Sequence, residues 1–170
     1  MEILRTERTI VEIIEREDAE FFFALLNTPG WLKYVGDRKI RSIHDAQRFL
    51  DDSLIKFHDD HGFGYYVVRT LQWTPIGICG FLKKEHLRNV DFGFAFLPVY
   101  MGQGYAFETA TAVLAYGAEH HSFQVIDAEV QSRNLRSKRL LEKMGFVRKG
   151  SVLSEADEPK HDLYRWHNRS

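Results

Sequence analysis

The amino-acid sequence predicts an α+β fold, in which helices pack on one mixed sheet, and three observations support this prediction. The middle of the chain, residues 64–97, contains three consecutive strand patterns separated by short turns, which is typical of antiparallel hairpins. Two helical patterns precede this block, and helical and strand patterns alternate after it. The chain has 170 residues, about one average domain, so residues 1–170 are expected to form a single domain.

One strand and two helices are predicted in the first third of the chain. Residues 9–14 are rich in β-branched side chains and favour a strand. Residues 17–27 are acidic at the start and apolar afterwards, which suits a helix and its dipole, and the Thr-Pro-Gly sequence at 28–30 is expected to end it. Ser42 then stands at an N-cap position, and apolar residues at helical spacing predict a second helix over residues 43–59.

Six further strands and two further helices are predicted in the remainder. Alternating β-branched and aromatic residues indicate the strands, and apolar residues at three- and four-residue intervals indicate the helices. Gly145 is expected to end the second of these helices, because glycine adopts positive φ without a Cβ clash. The predicted strands cover 64–70, 75–82, 90–97, 125–130, 147–153 and 163–166, and the predicted helices cover 104–120 and 134–144. The resulting order, β-α-α-β-β-β-α-β-α-β-β, is that of an α+β sheet.

Composition argues against several classes of function. The formal net charge of −1 lacks the basic excess of a nucleic-acid-binding protein. No apolar run is long enough to cross a bilayer and the first residues do not resemble a signal peptide, so we expect a cytoplasmic protein without a membrane partner. Cys79 is the single cysteine, lies in a strand pattern and is expected in the core. None of the eight histidines has a zinc-site spacing with it, so no metal is expected.

A glycine-rich turn between a predicted strand and a predicted helix is the main candidate site. Gly102, Gly104 and Ala106 have small side chains, so another group can approach the backbone closely. The free amides at the start of the helix then favour an anion, which predicts a phosphate site. The turn lacks the Gly-Lys-Ser/Thr ending of a P-loop and the third glycine of a Rossmann turn. From the local sequence alone, a helix start without a ligand is the alternative.

Four segments carry a resemblance to a known family. Residues 100–108, YMGQGYAFE, resemble the W-G-x-G-Y-A-x-E-A segment of the GNAT acetyltransferases that acetylate ribosomal-protein N-termini at alanine or serine. Residues 134–146 are similar to the family's N-x-x-S-x-x-x-L-E-K-x-G-F segment, residues 4–8 to its L-R-T-E-R start, and residues 76–81 to its I-G-x-x-G strand. Met101 stands where the wider superfamily has Arg or Gln. That change removes one side chain from the phosphate site but leaves the backbone amides.

The resemblance implies a fold, a cofactor and the residues that hold it. The GNAT fold has a mixed, mostly antiparallel sheet, here of about seven strands with about four helices, and its two central strands, here 90–97 and 125–130, splay apart. Acetyl-CoA is expected in the gap, with its pantetheine along the first strand and its pyrophosphate on the turn, and no metal is required. The implied cofactor-binding residues are Phe94, Ala95, Phe96, Leu97, Met101, Gly102, Gln103, Gly104, Tyr105, Ala106, Asn134, Ser137 and Arg139. A basic cluster, Arg133, Arg136, Lys138 and Arg139, is either a contact for the 3′-phosphate or a solvated face.

The chemistry implied by the resemblance is direct attack of an amine on the thioester, without a covalent enzyme intermediate. Asp91 is the candidate base, at a position where this branch commonly has Glu, and its shorter side chain favours a water relay. The alternative for Asp91 is a solvent-facing residue beside a turn. Glu108 is a rival carboxylate that we expect instead to hold the loop or complement the helix dipole. Asn134 and Ser137 are candidates for assisting the departing thiolate, and Asn134 is also a candidate cap.

The acceptor is expected to be a primary amine, and three hypotheses remain open. The first acceptor is a protein N-terminal residue, and the second is a small molecule such as a polyamine, amino sugar or antibiotic. The third hypothesis is a non-catalytic regulator that binds acyl-CoA without turnover. Residues 28–42 are expected to form a loop that lines the acceptor pocket. Edge strands and the closing hairpin leave a homodimer open.

Overall fold

The computed structural model describes residues 1–152 and 160–169, and its central element is a sheet of eight strands. Helical segments pack against this sheet, and two of them, α3 and α4, are joined by a π-helical turn at Leu50–Leu54. The strands are β1 (Glu2–Arg5), β2 (Thr9–Ile13), β3 (Tyr65–Thr70), β4 (Pro75–Leu82), β5 (Val90–Phe96), β6 (Val125–Gln131), β7 (Val147–Val152) and β8 (His161–His167). The helices are α1 (Ala19–Leu25), α2 (Pro29–Tyr34), α3 (Ile43–Phe49), α4 (Ile55–His61), α5 (Tyr105–His120) and α6 (Leu135–Lys143).

The order of strands opens a gap in the middle of the sheet. The order is β1-β2-β3-β4-β5-β6-β8-β7, and neighbouring strands are antiparallel except for β5 and β6, which are parallel. The parallel pair is joined at only two positions, Val90 with Ile126 and Asp91 with Asp127. Beyond them the two strands diverge, as the resemblance predicted, and among the described residues one edge of β5 has no partner strand there.

Two hydrophobic clusters fix the helices on the sheet. Alternation along β3 sends Tyr66 and Val68 into the cluster that includes α5 and α6, and sends Val67 into the cluster that includes α1 and α3. Cys79 is fully buried in the first cluster, as expected for a core cysteine. No helix in the described ranges is long and apolar enough to span a membrane.

Most predicted elements are confirmed, and two elements were missed. The predicted helix over 43–59 is the continuous run of α3, the π turn and α4. The first missed element is β1, an edge strand that brings the number of strands from the expected seven to eight. The last residue of the predicted strand 147–153 lies outside the described residues.

The second missed element is α2, which occupies part of the predicted loop over 28–42. The Thr-Pro-Gly sequence ends α1 but also begins α2. Thr28 is the N-cap, because its hydroxyl accepts a hydrogen bond from the amide of Trp31 at 3.3 Å. Pro29 suits the first helical position, since its φ is already helical and its missing N–H is not needed there. The Thr-Pro-Gly sequence is therefore compatible both with a turn and with the start of a helix.

Candidate functional site

Three adjoining cavities occupy the space where β5 and β6 diverge. The first, the Asp91 cavity, has a volume of about 240 Å³ and is lined by Asp91 together with residues of β6 and α2. The second, the turn cavity, has about 320 Å³ and lies against Gly102, Gly104 and Ala106. The third, the α2–α6 cavity, has about 340 Å³. Phe94 and Ser137 line all three, so the cavities form one continuous cleft.

The turn cavity has the features of an anion site. Gly102 and Gly104 have φ values of +74° and +85°, in the left-handed region that favours glycine. The first backbone hydrogen bond of α5 runs from the amide of Glu108 to the carbonyl of Gly104, at 3.1 Å. The amides of residues 105–107 come before that bond, so helix geometry gives them no partner inside the helix. Backbone donors and the positive end of the helix dipole therefore meet at this cavity.

Nine of the thirteen predicted cofactor residues line the turn cavity, and a tenth, Asn134, lines the two neighbouring cavities. Three others line none of the three cavities. Leu97 packs beside the cluster of α1 and α3, Gln103 donates from its side-chain amide to the carbonyl of Val99 at 2.7 Å, and the ring of Tyr105 lies 4.4 Å from the guanidinium of Arg8. The nine residues that line the turn cavity are Phe94, Ala95, Phe96, Met101, Gly102, Gly104, Ala106, Ser137 and Arg139.

The basic residues of α6 and its entrance divide into several environments. Arg136 and Arg139 line the turn cavity, and Arg133 lines the α2–α6 cavity. Lys138 does not line them and pairs with Asp162 at 2.7 Å. Lys143, which the sequence analysis did not select, also lines the turn cavity. The turn cavity is therefore flanked by three cations of α6.

Glu108 holds the N-terminal segment against α5. Its carboxylate accepts hydrogen bonds from the hydroxyl of Thr6 (2.6 Å), the amide of Arg8 (2.8 Å) and the guanidinium of Arg8 (2.8 Å). Burial alone would raise the pKa of Glu108, but these hydrogen bonds together lower it. Glu108 lines none of the three cavities, which agrees with the expectation that it holds the loop.

We expect Glu108→Ala to lower the free energy of unfolding by about 1–3 kcal/mol, because Thr6 and Arg8 would both lose their acceptor. The measurement is urea denaturation at neutral pH. Glu119→Ala is the matched control, since Glu119 is an exposed glutamate of the same helix. Equal effects of the two substitutions would contradict this role of Glu108.

Asp91 lies at the last residue pair before the strands diverge. It is only 3% exposed, which excludes the alternative of a solvent-facing residue. Its carboxylate accepts a hydrogen bond from the amide of Glu129 at 2.8 Å and lies 3.3 Å from the ammonium of Lys84. Burial raises the pKa of Asp91 to about 6, and the charge of Lys84 opposes that rise.

Glu129 is a second carboxylate of the Asp91 cavity that the sequence analysis missed. Its side chain is 8% exposed, contacts the imidazole of His86 and lies 2.9 Å from Nδ1 of His161. Burial alone would raise the pKa of Glu129, but the hydrogen bond with His86 and the charge of Lys84 lower it. The only local signal is the acidic alternation of Asp127 and Glu129 in a buried strand. Both carboxylates of this cavity are thus already engaged by basic groups.

Tyr65, which the sequence analysis did not select, also lines the Asp91 cavity. A Cβ added at Gly93 would lie 2.4 Å from the Tyr65 hydroxyl oxygen, so glycine is needed there to admit the ring. Burial raises the pKa of Tyr65, which keeps the hydroxyl protonated and able to donate.

Asn134 and Ser137 meet at the start of α6. The side-chain oxygen of Asn134 accepts a hydrogen bond from the amide of Ser137 at 3.2 Å, so Asn134 caps the helix. Ser137 lines all three cavities, between Asp91 and the glycine-rich turn. Capping therefore fixes the backbone of Ser137, a residue that lines all three cavities. Across residues 1–152 and 160–169, no group of three or more His, Cys, Asp or Glu side chains is arranged to hold a metal ion.

Comparison with known proteins agrees with this geometry. Residues 8–147 match the family profile described as an acetyltransferase (GNAT) domain. The uncharacterized N-acetyltransferase YoaA of Bacillus subtilis is 31% identical over 150 residues, which cover 87% of this chain and 84% of YoaA. RimL, a ribosomal alpha-N-protein acetyltransferase solved in complex with coenzyme A, has a similar fold, with a TM-score of 0.83, 14% identity and 98% coverage of both chains. A mutant of the spermidine N-acetyltransferase SpeG from Vibrio cholerae gives a TM-score of 0.74 at 20% identity, covering 94% of this chain and 93% of that one.

The two solved structures, at these low identities, support the fold alone. The profile match and the similarity to YoaA are matches of sequence, and both extend over most of the chain. They confirm the resemblance carried by the glycine-rich turn and by the segment over 134–146. The chain therefore belongs to the GNAT acetyltransferase family and is an N-acetyltransferase.

Proposed function

We propose that this enzyme transfers the acetyl group of acetyl-CoA to a primary amine by direct attack, with Asp91 as the general base. The observation that carries the proposal is the continuous cleft between β5 and β6. At one end it has helix amides without a partner inside the helix, and at the other it has a buried carboxylate with a raised pKa. Acetyl transfer from an extended thioester needs both ends of the cleft at once. One end holds the diphosphate of the thioester, and the other removes a proton from the acceptor amine.

The chemistry of the groups along the cleft supports coenzyme A as the ligand. Because β6 leaves β5 after Asp91, the open edge of β5 offers backbone groups to the pantetheine amides over Phe94–Leu97. The free amides at the start of α5, residues 105–107, and the cations of α6 offer hydrogen bonds and positive charge to the pyrophosphate. Acetyl-CoA supplies the thioester, and no metal is needed for the transfer.

The environment of Asp91 suits a general base. Amine acceptors are mostly protonated at neutral pH, because an α-amino group has a pKa of about 8 and an alkylammonium one of about 10.4, so the amine must lose a proton before or during attack. A carboxyl group with a pKa of about 6 is ionised at neutral pH and is a stronger base than an ordinary aspartate. The proton passes from the amine nitrogen to an Asp91 oxygen, directly or through water, and the sulfur leaves as thiolate beside Asn134 and Ser137. The hydroxyl of Ser137 supplies a donor for that sulfur.

Two classes of acceptor remain candidates for this site, a protein N-terminal amine and a small-molecule amine. A hydrogen bond from the side chain of Gln131 to the carbonyl of Lys33, at 3.3 Å, joins α2 to β6 beside the Asp91 cavity. This connection narrows the access to the Asp91 cavity. It therefore favours a small amine or a narrow peptide end as the acceptor over the broad surface of a folded protein. The buried base argues against the third hypothesis, a regulator that binds acyl-CoA without turnover.

A direct experiment combines binding with turnover. Isothermal titration with coenzyme A is expected to give one site per chain, and acetyl-CoA with a panel of primary amines is expected to release free thiol. The panel contains peptides with free N-termini, amino acids, amino sugars and polyamines. Binding of coenzyme A without thiol release for any amine would support the non-catalytic regulator and overturn the proposal.

A further inference from the structure

We propose that the acceptor carries a carboxylate close to its reactive amine, and that Arg38 binds this carboxylate. The inference rests on the proposed function, because it assigns the acceptor end of the same cleft. It concerns the balance of charged and polar groups around the Asp91 cavity. Among the described residues, the acidic groups of that cavity have basic partners, whereas two of its donors, the guanidinium of Arg38 and the indole N–H of Trp31, have no acceptor.

The carboxylates of the Asp91 cavity already have basic partners. Asp91 lies 3.3 Å from the ammonium of Lys84, and Glu129 lies 2.9 Å from the imidazole of His161 and 3.9 Å from Lys84. A second ammonium group on the acceptor would have to displace one of these partners. The cavity is therefore a poor site for a polycation, in which every additional amine needs a free carboxylate.

Arg38 is the cation of this cavity without a carboxylate partner in the part of the chain that the structure describes. It lines the Asp91 cavity, and its charge lowers the pKa of Tyr65 in opposition to the larger effect of burial, so its field reaches the cavity interior. The carboxylate of Asp37 is taken by Arg41, through contacts of 3.1 and 2.7 Å. The guanidinium carbon of Arg38 lies 6.0 Å from the centre of the Phe49 ring, and this contact leaves the fork of N–H donors for a ligand.

Trp31 adds a second, independent sign that the occupant supplies acceptors. Trp31 lines the Asp91 cavity and the α2–α6 cavity, and its indole nitrogen is buried without a hydrogen-bond partner among the described residues. A buried N–H without a partner costs free energy that an acceptor oxygen would recover. The neighbouring groups thus offer a guanidinium and an N–H, which together suit a carboxylate.

Taken together, these contacts indicate an acceptor with two ends. Its amine approaches Asp91 and its carboxylate pairs with the guanidinium of Arg38, in the bidentate geometry that guanidinium and carboxylate groups favour. A free amino acid and the acidic N-terminal end of a peptide both supply this chemistry.

The test compares acceptors that share a primary amine and differ in the charge of the group beside it, at saturating acetyl-CoA, with free thiol as the readout. One set contains an amino acid, its carboxamide and a linear diamine of similar length. The other contains short peptides with an acidic, a neutral or a basic residue after a free N-terminus. We expect the carboxylate-bearing member of one set to exceed its neutral counterpart at least about tenfold in kcat/KM. A preference in the first set would identify the acceptor as a free amino acid. A preference in the second set would identify it as a peptide with an acidic N-terminal end.

Arg38→Gln is expected to remove this preference by raising KM for the carboxylate-bearing acceptor, while kcat/KM for the neutral amine stays within about twofold. Lys39→Gln is the matched control, because Lys39 is a cation of the same segment that does not line the cavity. A preference for the diamine or the basic peptide, or a carboxylate preference that survives Arg38→Gln, would overturn the inference and leave the proposed acetyl transfer intact. Binding of coenzyme A with no turnover of any amine would instead overturn the proposed function itself.

Discussion

Replacing Asp91 by asparagine is expected to lower kcat by about 100- to 10,000-fold, the range typical of removing a general base. Asparagine keeps the shape of the side chain and can still accept the hydrogen bond from the amide of Glu129, but it cannot take up a proton. The affinity for coenzyme A is expected to stay within about twofold, since the turn cavity is untouched. The measurements are steady-state thiol release and calorimetric titration of coenzyme A.

Asp127→Asn is the matched control for this substitution. Asp127 is the residue of β6 that pairs with Asp91, it is equally buried, and it lines none of the three cavities. Its carboxylate pairs with Arg165 at 2.7 Å, so its loss is expected to affect stability but not the chemical step. If Asp91→Asn and Asp127→Asn have the same kcat, Asp91 is not the base.

The pH dependence gives a second measure of the same role. Because burial raises the pKa of Asp91 to about 6, kcat/KM of the native enzyme is expected to rise as the pH increases through that value. The pH profile of kcat/KM for Asp91→Asn is expected to lack this rise. The folded state holds the Asp91 proton more tightly than the unfolded chain, so the stability that this group contributes is present at low pH and is lost as the pH rises through about 6. The stability of Asp91→Asn relative to the native enzyme is therefore expected to increase from about pH 4 to about pH 8.

Ala106→Asp is expected to weaken binding of coenzyme A on the order of 100-fold. Ala106 lies in the first turn of α5 and lines the turn cavity. An added carboxylate about 5 Å from a phosphate costs about 3 kcal/mol at an effective dielectric constant of about 20. The same carboxylate is favourable for the helix itself, because an acid in the first turn complements the dipole. The variant should thus fold at least as well as the native enzyme and fail to bind.

Ala106→Asn separates charge from size in this experiment. Asparagine has nearly the volume of aspartate but carries no charge, so its affinity for coenzyme A is expected to lie between those of the native enzyme and the aspartate variant. The difference between the two variants should decrease at high salt, because the repulsion is screened. Equal affinities of the two variants would mean that the pyrophosphate does not bind at the start of α5.

Local sequence was sufficient for the parts of the site that lie within one segment. The positive φ of Gly102 and Gly104 and the free start of α5 belong to one short turn, which its glycines indicate directly. Asn134 and Ser137 are three residues apart on one helix, and a cap can be predicted from that spacing.

Only part of the acceptor end was predicted, namely Asp91 and the contribution of residues 28–42, because distant segments build this end. Asp91 of β5, Glu129 of β6 and His161 of β8 meet only through the order of strands, and Arg38 comes from the segment after α2. Periodicity tells which face of a strand is buried, but not which strand lies beside it. β1 was missed for a different reason, because an exposed edge strand has a weak hydrophobic pattern.

The two residue pairs that join β5 to β6 have a consequence for how this enzyme can diversify. Asp91 and Tyr65 belong to the strands on one side of that junction, and Glu129 and His161 belong to the strands on the other. A small rotation of one side against the other would change the width of the acceptor space while every residue that lines it stays the same. Substitutions in the hydrophobic cluster that includes α5, remote from the reacting atoms, can therefore alter which amine is accepted. Selectivity for the acceptor can thus evolve without any change to the catalytic groups.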